Sequence, residues 1–198
     1  MKNNQSGISG VKVSVFVAVL CAGCLIVAAR MQRLKQVNTM MEQIAALGAT
    51  VKKHSAKISE IIGKYSRNYA LFLDKTGNLP DGLFYVNDAI QVANNARINA
   101  TVDANGVVIM EVSNLDTDSC VKIVTANWEY RQTTQFVGVG IGQAPDFSCL
   151  SRNNCKFNYI AAFPGTADYP FTVDRATIPC SLSEKENQPA TVYLGYKL

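Results

Sequence analysis

The chain is poor in the side chains that most often carry chemistry. It has one histidine, His54, one tryptophan, and only 17% charged residues. A lone histidine leaves no histidine cluster for a metal. It also leaves a single candidate base for a Ser-His-Asp triad, and that base sits in a basic segment of helical pattern. Outside one apolar run, the closest cysteine pair is Cys149-x5-Cys155, too wide for the tight pairs of a zinc site. No repeat or low-complexity tract is present, which excludes solenoids and arrays. Residues 13–29 contain no charge at all.

That uncharged run is the strongest positive signal. At about 1.5 Å per residue it covers roughly 26 Å, just short of a hydrocarbon core of about 30 Å. With Lys12 and Arg30 snorkelling at its ends, it predicts a transmembrane helix over 13–29. At 198 residues, the chain has room for this segment and one head domain. Arg30, Arg33 and Lys35 follow the run while Lys2 and Lys12 precede it. By the positive-inside bias this puts the head in the cytoplasm. The cysteines argue the opposite and carry more weight.

Cys21 and Cys24 lie in the run and read as small apolar side chains. Cys120, Cys149, Cys155 and Cys180 lie in the soluble part and read as two disulfides in an oxidising compartment, with zinc as the competing reading. Four cysteines allow three connectivities, and the residues alone leave them open. Charge is split: residues 30–67 carry eight Lys/Arg against Glu42 and Glu60, and residues 68–198 nine against thirteen Asp/Glu. A basic rod beside an acidic head suits mutual neutralisation in an assembly, a surface near anionic lipid, or simply a solvated helix face.

Residues 1–10 are polar and end Gly-Ile-Ser-Gly, too short for a helix and a candidate leader. Met31, Leu34, Val37, Met41, Ile44, Leu47 and Val51 recur at steps of three and four, and Ile58, Ile61, Ile62 and Tyr65 continue them. The spacing predicts an amphipathic helix reaching 63, with Gly48 and Gly63 as candidate kinks. A further helix is expected over 64–73, ended by Gly77 and Pro80. Beyond Pro80, strands are expected at 97–102 and 106–112 around Asp103-Ala104-Asn105, then at 135–141, 156–162 and 191–196. Asp116 to Ser119 offers a helix N-cap. The fold class is α+β, a long N-terminal helix packed on an antiparallel sheet.

In this order the features resemble the type IV pilins, especially the type IVb branch. A short leader ending at Gly10 precedes the apolar helix and its amphipathic continuation. Gly77-Asn78-Leu79-Pro80-Asp81-Gly82 is similar to the turn that follows the helices in such pilins. Val107-Val108-Ile109-Met110 leads through Asn114-Leu115 to Cys120-Val121-Lys122-Ile123, like the strand and Cys-headed helix of type IVb heads. The resemblance implies a leader over 1–10 cut between Gly10 and Val11 by a prepilin peptidase, a helical stalk over 11–63 and a head over 64–198. It implies a disulfide from Cys120 to Cys180, leaving Cys149 with Cys155. It implies residence in the inner membrane with a periplasmic head, then an extracellular filament. Other pilin subunits are the expected partners, through the N-terminal helix, with a host-surface or sugar ligand as a further candidate.

The sequence departs from the family at one position. Cleavage after Gly10 puts Val15 where pilins carry a glutamate that meets a neighbour's N-terminal amine. That loss points to a minor, tip or initiating subunit. The alternatives are a pseudopilin of a type II-like secretion system or a stand-alone membrane-anchored periplasmic binding protein.

Other motifs have simpler explanations. Ser119-x-x-Lys122 and Lys75-Thr76-Gly77 match penicillin-binding motifs, but in reversed order and without S-D-N. Gly138, Gly140 and Gly142 lack the spacing of a dinucleotide fingerprint and suit a closely packed strand. Trp128, Tyr130, Phe136, Tyr159 and Tyr169 suit a core better than a sugar- or receptor-binding patch. Asn99-Ala100-Thr101 matches a glycosylation sequon, and Cys21-Ala22-Gly23-Cys24 faintly resembles a lipoprotein site. No enzyme activity, cofactor, metal or nucleic-acid partner is expected.

Overall fold

The structure, a computed structural model, describes residues 6–131, 136–142, 161–164, 169–185 and 189–198. The chain divides into two compact units, Met1–Asn38 and Thr39–Leu198. The first holds the start of helix α1, Ser6–Lys53. Helical backbone therefore includes Gly10, against the expectation of a non-helical leader over 1–10. Once the apolar residues downstream hold a helix, adding residues at its start avoids a new nucleation cost.

Among the described residues no helix is long and apolar enough to cross a membrane. This corrects the transmembrane segment expected over 13–29, and with it the inner-membrane placement. The uncharged run ends at Arg30 after 17 residues, about 26 Å of helix against a hydrocarbon core of about 30 Å.

Helix α1 also stops short of Gly63. It ends at Lys53, and Gly48 lies inside it without ending it. At His54 (φ −108°, ψ 11°) the backbone tightens into a 3-10 turn over Ser55–Lys57. The His54 N–H donates to Val51 O at 3.1 Å and the Lys57 N–H to His54 O at 2.8 Å, so the bonding step shortens from four residues to three. Helix α2 follows over Ile58–Lys64.

The single helix expected over 64–73 is likewise interrupted. Ser66 and Arg67 adopt positive φ, 50° and 66°, and helix α3 restarts at Tyr69–Lys75. Asn68 caps it, its side-chain oxygen accepting from the Leu71 N–H at 2.8 Å. Gly77, at φ +66°, follows α3 as the sequence predicts.

The second unit is built on one antiparallel sheet. Its strands are β1 Phe84–Val86, β2 Ala89–Gln91, β3 Arg97–Val102, β4 Val107–Leu115, β5 Phe136–Ile141, β6 Ala161–Ala162 and β7 Ala190–Lys197. They lie in the order β1-β2-β3-β4-β7-β5-β6. The last strand thus sits inside the sheet, paired with β4 and β5. The β3–β4 hairpin, β5 and β7 stand where the alternation predicts them. Of the strand expected over 156–162 only β6 falls among the described residues.

Alternate residues of the sheet are buried: Ile98, Ala100 and Val102 on β3, Val108, Met110 and Val112 on β4, Val192, Leu194 and Tyr196 on β7. The intervening Arg97, Asn99, Thr101, Ile109, Glu111 and Ser113 are half-buried or exposed. One face is thus covered and the other largely open. Residues 39–53 of α1 pack on this sheet, burying Met40, Met41, Ile44, Leu47 and Val51. The Ala93 N–H donates to Gln43 Oε1 at 2.8 Å.

Helix α4, Thr117–Val124, starts at the expected cap, with Asp116 Oδ1 accepting from the Ser119 N–H at 2.7 Å. Helix α5 is Trp128–Arg131. Helix α6, Val173–Lys185, carries Pro179 within it.

Candidate functional site

Three features stand out: an uncovered apolar helix segment, a cystine, and a buried polar knot. In the first unit, Leu25 is 71% exposed, Ile26 61%, Val27 55%, Met31 67% and Leu34 58%. Apolar side chains that a core would bury are here in solvent. Five large exposed apolar groups on one segment exceed the scattered single exposure that is normal on a protein surface. Cys24, a free thiol, is exposed within it.

The cystine joins α4 to α6. Cys120 and Cys180 are bonded, with Cα atoms 5.8 Å apart and a sequence separation of 60. This is the pairing the resemblance implies. Both residues are fully buried, so the bond ties two helices beneath the surface. Cys149 and Cys155 lie outside the described residues. Gly10 and Val11 lie in the helical backbone of α1, and their side chains are outside the described set.

The knot forms where α1 ends. His54 Nδ1 lies 3.1 Å from Tyr69 OH, and Tyr69 OH lies 3.0 Å from Thr50 Oγ1. Thr50 Oγ1 donates to Leu47 O at 2.7 Å. Proton counting orders the chain. The single threonine proton goes to Leu47 O, so Tyr69 OH must donate to Thr50 and accept from a protonated His54 Nδ1. Burial pushes the His54 pKa below its ordinary 6.5. Burial likewise raises the Tyr69 phenol. The Phe72 ring meets the imidazole edge-on at 5.1 Å. The arrangement locks a helix end. It presents no nucleophile to a base, and His54 joins neither a serine nor a carboxylate there. The sequence flagged His54 only as the sole histidine. Tyr69 and Thr50 gave no separate signal, because their pairing depends on the turn between α2 and α3.

Other flagged residues are structural where described. Ser119 is fully buried, and its hydroxyl accepts from Asn94 Nδ2 at 2.9 Å. Trp128 is fully buried and donates its indole N–H to Ile123 O at 2.8 Å. Tyr169 OH accepts from the Trp128 N–H at 2.7 Å. Phe136 packs on Tyr169 and Tyr196. Tyr159 and the Tyr130 side chain are outside the described residues. Gly138 faces the Phe163 ring, 2.5 Å from where a Cβ would stand, as a closely packed strand requires. Among the described residues no group of three or more His, Cys, Asp or Glu is placed to hold a metal. Comparison with known proteins finds no matching family, curated protein or solved structure.

Proposed function

We propose that this chain is a structural subunit of a pilin-like filament, acting in its initiation or at its tip, and that copies associate through the N-terminal helix. The exposed apolar segment over residues 22–34 carries this reading. Its five large described side chains, Leu25, Ile26, Val27, Met31 and Leu34, would each gain about 1.5–3 kcal/mol on full burial. Their sum, about 10 kcal/mol, is comparable to the roughly 4–15 kcal/mol lost in fixing two bodies together. A two-chain contact covers only part of each helix and is marginal. A bundle covering every side wins, so the surface favours a multi-chain assembly.

The head supports the same reading. It sets an N-terminal helix on an antiparallel sheet and ties the C-terminal region back by Cys120–Cys180, in the order the pilin resemblance implies. Val15 is exposed and stands where that resemblance places a glutamate. A bundle of such helices lacks a buried carboxylate–amine pair to fix its register and holds by apolar packing alone. That suits a short initiating or terminal assembly better than a long filament body.

Sedimentation velocity of the full chain over a concentration series tests the proposal. We expect species larger than a trimer for the wild type, and monomer for the Leu25→Glu/Ile26→Glu double variant with an unchanged thermal midpoint. A wild-type chain that stays monomeric throughout overturns it.

A further inference from the structure

The open face of the sheet contains a gap in its hydrogen-bond ladder. On one edge β3 is paired with β4 along its whole length, from Arg97↔Ser113 to Val102↔Val108. On the other edge β2 reaches only Arg97 and Ile98. The next partner is Asn68, in an isolated bridge to Thr101. Between these, among the described residues, no strand pairs with the edge at Asn99 and Ala100.

Two tight turns frame the gap. Asn87 and Asp88, at φ 51° and 61°, form the two-residue link between β1 and β2. Ser66 and Arg67 form the second, at φ 50° and 66°, with Arg67 O accepting from the Val102 N–H at 2.8 Å. Tyr85 braces one turn against the other. Asn68 Nδ2 donates to its phenol oxygen at 3.3 Å, and that phenol donates to Asp88 Oδ1 at 3.4 Å. The frame is set before any ligand arrives.

The gap is a cavity of about 320 Å³, lined by Asn87, Asp88, Arg97, Asn99, Thr101 and Glu111 together with Asn68 and Ala100. That volume falls at the small end of ligand pockets, which run from roughly 300 Å³. Its lining differs from an ordinary solvated strand face in two ways. First, Arg97 is held but incompletely partnered. One terminal nitrogen donates to Asn87 O at 2.7 Å, while its Nε is buried without a hydrogen-bond partner. A buried guanidinium N–H left unpaired is costly, and such orphans mark places where a ligand atom belongs. Second, Ala100 is buried as a residue, so it lines the cavity through its backbone. The Val102 N–H points to this edge, bonded to Arg67 O. By strand alternation the Ala100 amide, two residues back, points to the same edge and into the gap.

We infer that this cavity binds a neutral saccharide of one or two rings. The edge is open for two residues and closed at both ends, which is too short for an added peptide strand. Arg97 in the wall opposes a metal ion, and Asp88 and Glu111 together outweigh its charge against a phosphate or a uronic acid. What remains is a ligand dense in both donors and acceptors. Carboxylates take protons from hydroxyls, and Arg97 and the Ala100 amide give protons to them. The carboxamides of Asn87 and Asn99 do both. Planar carboxylate, amide and guanidinium groups match the paired oxygens of a vicinal diol in the same forked way that they match one another. The site does not depend on the filament reading, and it would serve an assembled or a solitary chain equally.

The test is a screen of the full chain against immobilised neutral and acidic glycans, followed by calorimetric titration of the best neutral disaccharide. Asn99→Ala and Glu111→Gln alter side chains on the open face. The expected result is retention of neutral glycans, a fall of at least tenfold in affinity for each variant, and unchanged thermal midpoints. Binding that is equal in wild type and both variants overturns the inference. So does retention of acidic glycans alone, or of none at millimolar concentration.

Discussion

At His54 the sign of a pH effect follows from burial. The folded chain protonates this imidazole less readily than its ordinary pKa of 6.5 implies, chiefly through desolvation, with Lys53 and Lys57 adding repulsion. Hydrogen bonds to Asn78 and to the Thr50 backbone act the other way and do not prevail. Below 6.5 the unfolded chain therefore holds more protons, so stability falls as pH drops, until the lower folded pKa is passed. The urea midpoint, followed through the buried Trp128, should fall between pH 7.5 and pH 5. His54→Gln should flatten part of that fall; identical pH profiles would contradict the assignment. Tyr69→Phe removes the centre of the relay, taking a hydrogen-bond partner from both Thr50 Oγ1 and His54 Nδ1, and should cost about 1–3 kcal/mol in the same assay. Gly138→Ala makes a separate point. The added methyl would stand 2.5 Å from the Phe163 ring, and overpacking of this kind costs roughly 1–3 kcal/mol. A neutral outcome would show that Phe163 is not seated there.

Among the elements, the α4–α6 pair depends most on covalent chemistry. Closing 60 residues by Cys120–Cys180 removes unfolded-state entropy worth about 4 kcal/mol in the chain-entropy model. Cys120→Ser/Cys180→Ser should lose about that much. Limited proteolysis under reduction should cut first after Cys120, and equal resistance with and without reductant would oppose this. The elements also show what the sequence made legible. The β3–β4 hairpin could be read because its alternation and its Asp103-Ala104-Asn105 turn agree. The α4 start could be read because Asp116 is a strong cap. The β1–β2 hairpin could not, since three-residue strands carry too little periodicity. Helix α6 was hidden by Pro179, which normally ends a helix. The end of α1 at Lys53 was missed because His54 meets Tyr69 only after the intervening turn has formed. The cavity was invisible for the same reason. Asn68, Asn87, Arg97 and Glu111 are brought together by strand pairing, and only Asn99-Ala100-Thr101 drew notice, as a sequon.

For the whole molecule, the question is what covers residues 22–34. An uncovered apolar helix would be lost to non-specific aggregation unless a specific partner took it up. Further copies of the same helix are the proposed partner, and Cys24 offers a direct report because its thiol is free and exposed within the segment. The measurement is cross-linking of the purified full-length Cys21→Ser variant with a short bismaleimide, against a Cys24→Ser control. The expected product is a covalent dimer joined through the two Cys24 thiols, lost in Leu25→Glu/Ile26→Glu. Cys24 that reacts fully with maleimide yet never joins two chains would contradict the proposal.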